Sequence, residues 1–496
     1  MRSGQQDALS SHWTIALSEQ GFLGALVFLL ITHFFLALEI PPAEDELYYW
    51  TWSKNLSLSY FDHPPMVAWW IALATKLFGN SLFSIRLPAC LTHFFLFLIL
   101  GKHSSPKSVL YFLLLTPLSL FGALFMTPDI PLLLFWLLYV QWTVSVEQTL
   151  SAWGDDPVSR VYQPRPISSF TWIQGGFLLG LGLLSKYTMA LAPLCLLFLL
   201  FKYQLRSWWR GFLLHGLISM LVFSPVLIFN FQTHFKPFLF QWTHIQQQVP
   251  FSFLYTFLGN QVLLLGALPF LLTPWIILNY TLLSRISSAR VFTYFFFIPL
   301  AFFIYKATHR FLEANWALVA YISFWPLASY FLKVSSFRLG KGICLALAFV
   351  VPLSLSGLIA MHLIKPVSFI STSQDRLSKL ASQLRLVKEF VDHPGVSKKT
   401  PLFLQNYQWT SYFLFLGFSS SYQLPDQGRP SHFSLNPVFP CEFDSVYYFH
   451  PVGEALPESL SCYKRTSAIF SAPLTVRNVT LSHWELIQLH KGDLSS

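Results

Sequence analysis

The residues best suited to chemistry in this chain are carboxylates set beside aromatic rings. Glu44-Asp45-Glu46 runs straight into Tyr48, Tyr49, Trp50 and Trp52, and the same stretch closes on Tyr60-Phe61-Asp62-His63-Pro64-Pro65. Only 11% of the residues are charged, so this much charge in one stretch marks a candidate site. Aromatic walls lower the local dielectric and raise a carboxylate's pKa toward the range of a general base. Aromatic faces also suit a sugar ring or a lipid chain, which makes Tyr48 and Tyr60 candidates for the wall of a substrate site. Asp45 is then the candidate base, with Glu46 beside it. The plainer alternative is an acidic pair that complements a helix N-terminus. In the closing turn, each proline pushes the residue before it toward extended geometry, so Asp62 and His63 point in defined directions. That turn reads either as a brake before a helix or as a site where His63 donates to a phosphate or orders a carboxylate.

Three further places hold isolated charge. Asp129, in Thr127-Pro128-Asp129-Ile130-Pro131, is the one carboxylate between Asp62 and Glu147. It reads as a helix cap or as an acid at membrane depth. Lys186 sits in Leu-Leu-Ser-Lys-Tyr-Thr between two apolar runs. It is either a snorkelling cation or one that needs an anionic partner. Lys306, His309, Arg310 and Glu313 share one short segment, where the simplest use for the two cations is to clamp a phosphate. Acidic side chains that converge would also accept a divalent metal, although no motif demands one and no cofactor is implied.

The elements that must carry these residues follow from composition. The chain is 54% hydrophobic, with a mean hydropathy of +0.51, and its apolar runs do not alternate. That describes a polytopic α-helical membrane protein and excludes a soluble enzyme or a β-barrel. The net charge of +10 belongs to Lys and Arg flanking the spans; no basic stripe suggests nucleic acid as a partner. About eleven transmembrane helices are expected, at 21–38, 81–100, 108–126, 130–149, 170–185, 187–203, 211–230, 254–282, 291–305, 315–332 and 342–364. The first reads as an uncleaved span. The segment 66–79 is short for a span and reads as an interfacial helix.

With the N-terminus in the cytoplasm, twelve Lys or Arg fall on that side and seven on the other between the first span and residue 365. The twelve are Lys102, Lys107, Arg160, Arg165, Lys202, Arg206, Arg210, Arg285, Arg290, Lys333, Arg338 and Lys341. The positive-inside rule favours this orientation. It puts the 44–65 stretch, Asp129, Lys186 and the 306–313 loop on one extracytoplasmic face. Residues 1–365 are thus a transmembrane domain with a catalytic first outer loop at 39–80. Residues 366–496 hold helix-like 375–391 and strand-like pieces at 401–404 and 446–449, a small α/β domain on the same face. Cys441 and Cys462 lie in it; an oxidising compartment would allow them to pair, which their spacing alone does not show.

The motifs resemble bacterial glycosyltransferase family 39, the membrane branch related to protein O-mannosyltransferases and the lipid A aminoarabinose transferase. The resemblance rests on Asp45-Glu46, Trp-Thr-Trp-Ser-Lys-Asn-Leu followed by Phe-Asp-His-Pro-Pro, Arg86-Leu87-Pro88, Thr127-Pro128-Asp129 and Leu184-Ser185-Lys186-Tyr187. It continues more weakly at Gln405-Asn406-Tyr407-Gln408 and Gly428-Arg429-Pro430-Ser431-His432-Phe433. It implies the GT-C fold and a sugar donor carried on a polyprenyl phosphate. Asp45 takes the place of the base that activates the acceptor, and Lys186 and the 306–310 loop that of the phosphate-binding cations. This chain has Asp62-His63 where the aminoarabinose transferase has Glu-Lys, and Asn315-Trp316-Ala317-Leu318 where Asn-Trp-Pro-Ala-Pro is usual.

These readings combine into one expected reaction. A polyprenyl-phosphate sugar already has an activated anomeric carbon and a leaving phosphate. The protein must place an acceptor hydroxyl, remove its proton and neutralise the departing charge. Asp45 serves as base, with Glu46 and Asp129 ordering it or sharing a proton or a metal with it. Lys186, Lys306, Arg310 and His63 face the phosphate. A single displacement inverts the anomeric centre. The acceptor is an envelope lipid, a polysaccharide or a protein, and the setting is the bacterial inner membrane with the site facing the periplasm. The rival reading is a polyprenyl-linked sugar transporter or flippase, which calls for paired interrupted helices in two halves.

Overall fold

The computed structural model describes residues 19–104, 110, 113–154, 167–203, 208–246, 253–334 and 339–491. Lys107, Arg160, Arg165, Arg206 and Arg338, all counted in the charge asymmetry, lie outside them. The helices used below are α1 Glu19–Glu39, α2 Glu44–Lys54, α3 Met66–Phe78, α4 Leu82–His103, α5 Asp129–Gly154, α6 Ser169–Leu183, α7 Ala192–Phe201 and α8 Trp209–Gln232. They continue with α9 Lys236–Gln246, α10 Phe253–Leu265, α11 Leu268–Leu278, α12 Ser287–Ala307, α13 Leu318–Val334, α14 Leu339–Ile364, α15 Arg376–Val391 and α16 Tyr407–Phe415.

Among the described residues, six helices are long and apolar enough to cross a bilayer: Gly21–Glu39, Leu82–His103, Asp129–Ser151, Trp209–Gln232, Ser287–Ala307 and Ala314–Val334. The pair α10 and α11 would add a seventh, although it is bent by 105°. Eleven spans were expected; the described residues do not confirm that number, and local chemistry shortens, breaks or bends several of the expected segments. Ser185-Lys186 separates α6 from a 3-10 turn, Tyr187–Leu191, that leads into α7, so the two segments are shorter than bilayer-crossing helices. The described part of the run 108–126 breaks at Pro117 and Gly122 into a four-residue helix and a 3-10 turn. At the α10–α11 bend Gly266 has a φ of +76°, and a Cβ there would come within 3.3 Å of Pro352. Only glycine makes that corner cheaply. Prolines inside α4, α8, α12 and α13 are tolerated, as is usual in membrane helices.

The chain divides into two compact units. The first comprises Met1–Leu36, His63–Val67 and Arg86–Ile359. Its centre is α5 and the Ala314–Val334 span, whose apolar windows are 72% and 78% buried, against 28% for α8. Even so, α6 meets α8 closely: a Cβ at Gly176 would stand 2.4 Å from the His215 carbonyl oxygen, and one at Gly180 2.5 Å from the Val222 Cβ. Small residues let membrane helices approach this far. Near the far end of α5, Glu147 is fully buried. Its Oε1 accepts from Arg290 Nε and from the Tyr203 hydroxyl, both at 2.7 Å, which ties α5 to the start of α12 and the end of α7.

The second unit comprises Ala37–Asp62, Ala68–Ile85 and Ala360–Ser496. Its strands are β1 Leu402–Leu404, β2 Ser421–Gln423, β3 Ser445–Pro451, β4 Tyr463–Val476 and β5 Val479–Lys491. The sheet order is β2-β1-β3-β5-β4, with β1 parallel to β2 and β3, and β5 antiparallel to β3 and β4. Side chains alternate as a pleated sheet requires. Leu402, Leu404, Tyr447 and Phe449 face a core with α15 and α16, while Phe403, Val446 and Tyr448 face a second core. Leu47 of α2 belongs to the first core. The acidic, aromatic stretch is therefore a helix built into the sheet domain. Cys441 and Cys462 form a disulfide there, with a Cα–Cα distance of 6.0 Å.

Candidate active site

The candidate side chains fall into two groups, one within each unit. In the first unit Thr127-Pro128 stops the chain before α5, so Asp129 opens the helix at its positive end. Lys186 is the extended residue between α6 and the 3-10 turn, with φ −160° and ψ 143°. Its Nζ donates to both carboxylate oxygens of Asp129, at 2.8 and 2.9 Å, and Asn315 Nδ2 donates to Oδ2 at 2.6 Å. Lys186 and Asp129 are both buried. The turn after His63-Pro64-Pro65 anchors beside them, where the Met66 N–H donates to the Leu184 carbonyl at 3.0 Å. His63 itself is half-buried.

Trp316 joins a second cation to this group. Lys186 Nζ lies 5.8 Å, and Arg310 Cζ 5.9 Å, from the centre of its indole ring. Arg310 is 7% exposed, and its Nε has no hydrogen-bond partner among the described residues. Burial lowers its pKa, yet a guanidinium remains charged at any physiological pH. Lys186 is thus neutralised from within the protein, while Arg310 is a buried positive charge that no acid among the described residues meets. Lys306, expected beside it, lies in the last turn of α12 with its ammonium 5.8 Å from Phe302 on the same helix. It has no hydrogen bond or ion pair to this group.

In the second unit Asp45 accepts from the Tyr407 hydroxyl at 2.9 Å. Asp45 is exposed, so the aromatic residues beside it in sequence do not enclose it as expected. The enclosed acid is Asp62. The Tyr48 hydroxyl donates to its Oδ2 at 2.7 Å and Arg429 Nη1 to its Oδ1 at 2.6 Å. Burial raises the Asp62 carboxyl above the ordinary carboxylate range, against the pull of Arg429 and the hydrogen bond from Tyr48. The same Tyr48 oxygen accepts from the His432 backbone N–H at 2.5 Å. Burial holds its phenol well above 10, and Asp62 adds to the effect. Arg429 also stacks over Tyr407, 4.4 Å from the ring centre.

Three expectations change here. Glu46 is fully buried, and its Oε2 accepts from the Ala43 N–H at 3.4 Å, the helix-starting role read as the plainer alternative. Tyr60 is fully buried, stacked on Trp52 at 4.6 Å, and its hydroxyl donates to the Trp52 carbonyl at 3.0 Å. It supports the aromatic wall from behind. Tyr48 is 1% exposed and holds Asp62 in place. Among the described residues no three His, Cys, Asp or Glu side chains converge as a metal site requires. Sequence reasoning gave no role to Asn315, Trp316, Tyr407, Arg429 or His432. A signal for Arg429 was present: Gly428 has a φ of +68°, and a Cβ there would meet the Gln405 carbonyl at 2.6 Å, so Gly428-Arg429-Pro430 is a constrained turn presenting a cation.

Comparison with solved structures decides the fold. ArnT from Cupriavidus metallidurans superimposes with a TM-score of 0.62 over 95% of this chain and 98% of that one, at 13% identity. That ArnT structure is bound to undecaprenyl phosphate; its apo form gives the same TM-score at 12% identity. The chain has the GT-C fold. The profile of the dolichyl-phosphate-mannose-protein mannosyltransferase family matches residues 62–154 and 164–229 of this GT-C chain. The lipid A galacturonosyltransferase RgtD of Rhizobium johnstonii is 48% identical over 59 residues, 12% of either chain, so the match spans about an eighth of that relative. With its several apolar spans, this is a multi-pass membrane protein.

Proposed function

We propose that this protein is a membrane glycosyltransferase that moves a sugar from a polyprenyl phosphate to an acceptor hydroxyl. The observation that carries the proposal is Arg310: buried, charged and without an acid among the described residues, beside an indole that also faces Lys186. A cation left without an acid in a membrane protein calls for an anion from outside the chain. A lipid phosphate supplies both that anion and an apolar tail suited to a membrane domain. The names of the similar proteins, a lipid A glycosyltransferase and a structure bound to undecaprenyl phosphate, support the same substrate class.

In this reading Arg310 neutralises the phosphate as the sugar leaves, and Lys186, fixed by Asp129 and Asn315, adds a hydrogen-bond donor more than net charge. Proton removal falls to Asp45, whose exposure leaves it open to an acceptor and whose orientation Tyr407 fixes. One displacement inverts the anomeric carbon. The Lys/Arg asymmetry and the Cys441–Cys462 disulfide support an active site on the oxidising, extracytoplasmic face of a bacterial inner membrane, with the sheet domain on that side. The transporter reading gains less: the described residues hold one sharply bent helix pair, α10 and α11, and no second one to match it.

Two variants of the purified protein test the proposal. Arg310→Gln should weaken binding of undecaprenyl phosphate about ten- to a hundred-fold, the scale of a charge-assisted contact. Asp45→Asn should leave that binding intact and slow transfer from a radiolabelled polyprenyl-phosphate sugar by about two orders of magnitude. Unchanged lipid affinity in Arg310→Gln removes the phosphate seat. Wild-type turnover in Asp45→Asn removes the base.

A further inference from the structure

The sheet domain exposes apolar side chains close to where it leaves the membrane domain's last helix. The apolar helix α14 ends at Ile364, which is 87% exposed, and Lys365-Pro366 follows. Phe369, five residues on, is 74% exposed. The hairpin of β4 and β5 turns at Arg477-Asn478, both left-handed with φ of 49° and 64°, the conformation that a two-residue turn needs to match strand twist. Directly after the turn, Val479 and Leu481 are also exposed and share one face of β5.

Hydrogen bonds bring these two apolar places together. Arg477 Nη1 donates to the Val367 carbonyl at 2.6 Å, and Nη2 donates to the Ile370 carbonyl. Arg477 Nε also faces Asp375 Oδ2 at 3.3 Å, and Asp375 Oδ1 meets His362 Nε2 of α14 at 2.8 Å. A chain of polar contacts thus bolts the hairpin turn to the segment that emerges from α14. Scattered exposed apolar residues are ordinary on a protein surface, but four beside the end of an apolar helix form a patch.

We propose that this hairpin tip, with Ile364 and Phe369, lies in the headgroup region of the bilayer and anchors the sheet domain to it. The occupant is lipid because the patch continues from the apolar helix α14, and because exposed Lys365 stands where a lipid phosphate would meet it. The anchor is independent of the reaction proposed above, and so is its test.

Single cysteines at Val479 and Phe369 would carry an environment-sensitive fluorophore in the full-length protein, reconstituted in proteoliposomes. Cysteine at Lys399, an exposed residue of the same domain outside this patch, is the control. Labels at 479 and 369 should be quenched by phospholipids bearing a nitroxide near the headgroup and shielded from aqueous iodide. The label at 399 should show the reverse. Iodide quenching at 479 equal to that at 399 overturns the anchor. Protection of 479 from both quenchers also overturns it, because protein, such as a second copy of the chain, would then cover the tip.

Discussion

At one end of α5, Glu147 is closed in by Arg290 and Tyr203; at the other, Asp129 holds Lys186 and Asn315 while Arg310 stands nearby with no acid among the described residues. Both groups are buried in the first unit, and both join helices that are distant in sequence. The first balances one positive charge against one negative. The second carries a surplus positive charge beside an indole. A matched buried pair fixes how helices stack; an unmatched one stores a demand for a ligand. The difference sorts charges in an apolar domain into those that hold the fold and those that await a substrate.

The comparison breaks most readily at the matched end. Arg290→Ala leaves Glu147 buried and unpaired, and should destabilise the protein by about 3–5 kcal/mol. Thermal unfolding in detergent would read this as a large drop in midpoint. A drop close to zero would mean that Glu147 is neutral or hydrated, and the two ends of α5 would no longer differ in kind. The same measurement on Arg310→Gln should show an unchanged or slightly higher midpoint, because it removes a charge that burial penalises. A large loss of stability there would show that Arg310 is structural, and would remove its claim on a phosphate.

The second unit repeats the contrast with two acids. Asp62 is buried and holds Tyr48 and Arg429; Asp45 is exposed and takes one hydrogen bond from Tyr407. Asp62→Ala strands the buried Tyr48 hydroxyl and should cost about 1–3 kcal/mol of stability. Asp45→Asn should cost little, since an exposed amide can still accept from Tyr407. Equal losses in the two variants would make both acids structural.

This sorting marks how much of the protein its sequence reveals. The membrane class, the α/β character of the C-terminal region and strands at 402–404 and 445–451 follow from hydropathy and residue periodicity, which act locally. The long β4–β5 hairpin was not anticipated, because its burial alternates irregularly around bulges in the pairing. Asp129 and Lys186 stand out as scarce charges in apolar runs, but nothing in the spacing says that they meet. Their sequence separation is bridged only by packing. For the same reason Asp45 appeared to be the enclosed acid. Its aromatic neighbours in sequence lie on a helix that packs them against Tyr407, Phe415, His432 and Phe433 and leaves Asp45 at the surface.

The smallest effect concerns the backbone contact that closes the Asp62 group. His432 donates its N–H to Tyr48, and burial pushes its imidazole pKa down to about 4 from an ordinary 6.5. Between these values the unfolded chain binds more protons at this position than the folded one, so stability falls as pH drops from about 6.5 toward 4 and is level above that window. The unfolding midpoint should therefore decline over this range, and His432→Asn should flatten part of the decline. A profile unaffected by that variant would assign the acid sensitivity to other groups. It would also leave the Tyr48–Asp62 pair closed by backbone geometry alone, with the side chain of His432 contributing nothing to its pH range.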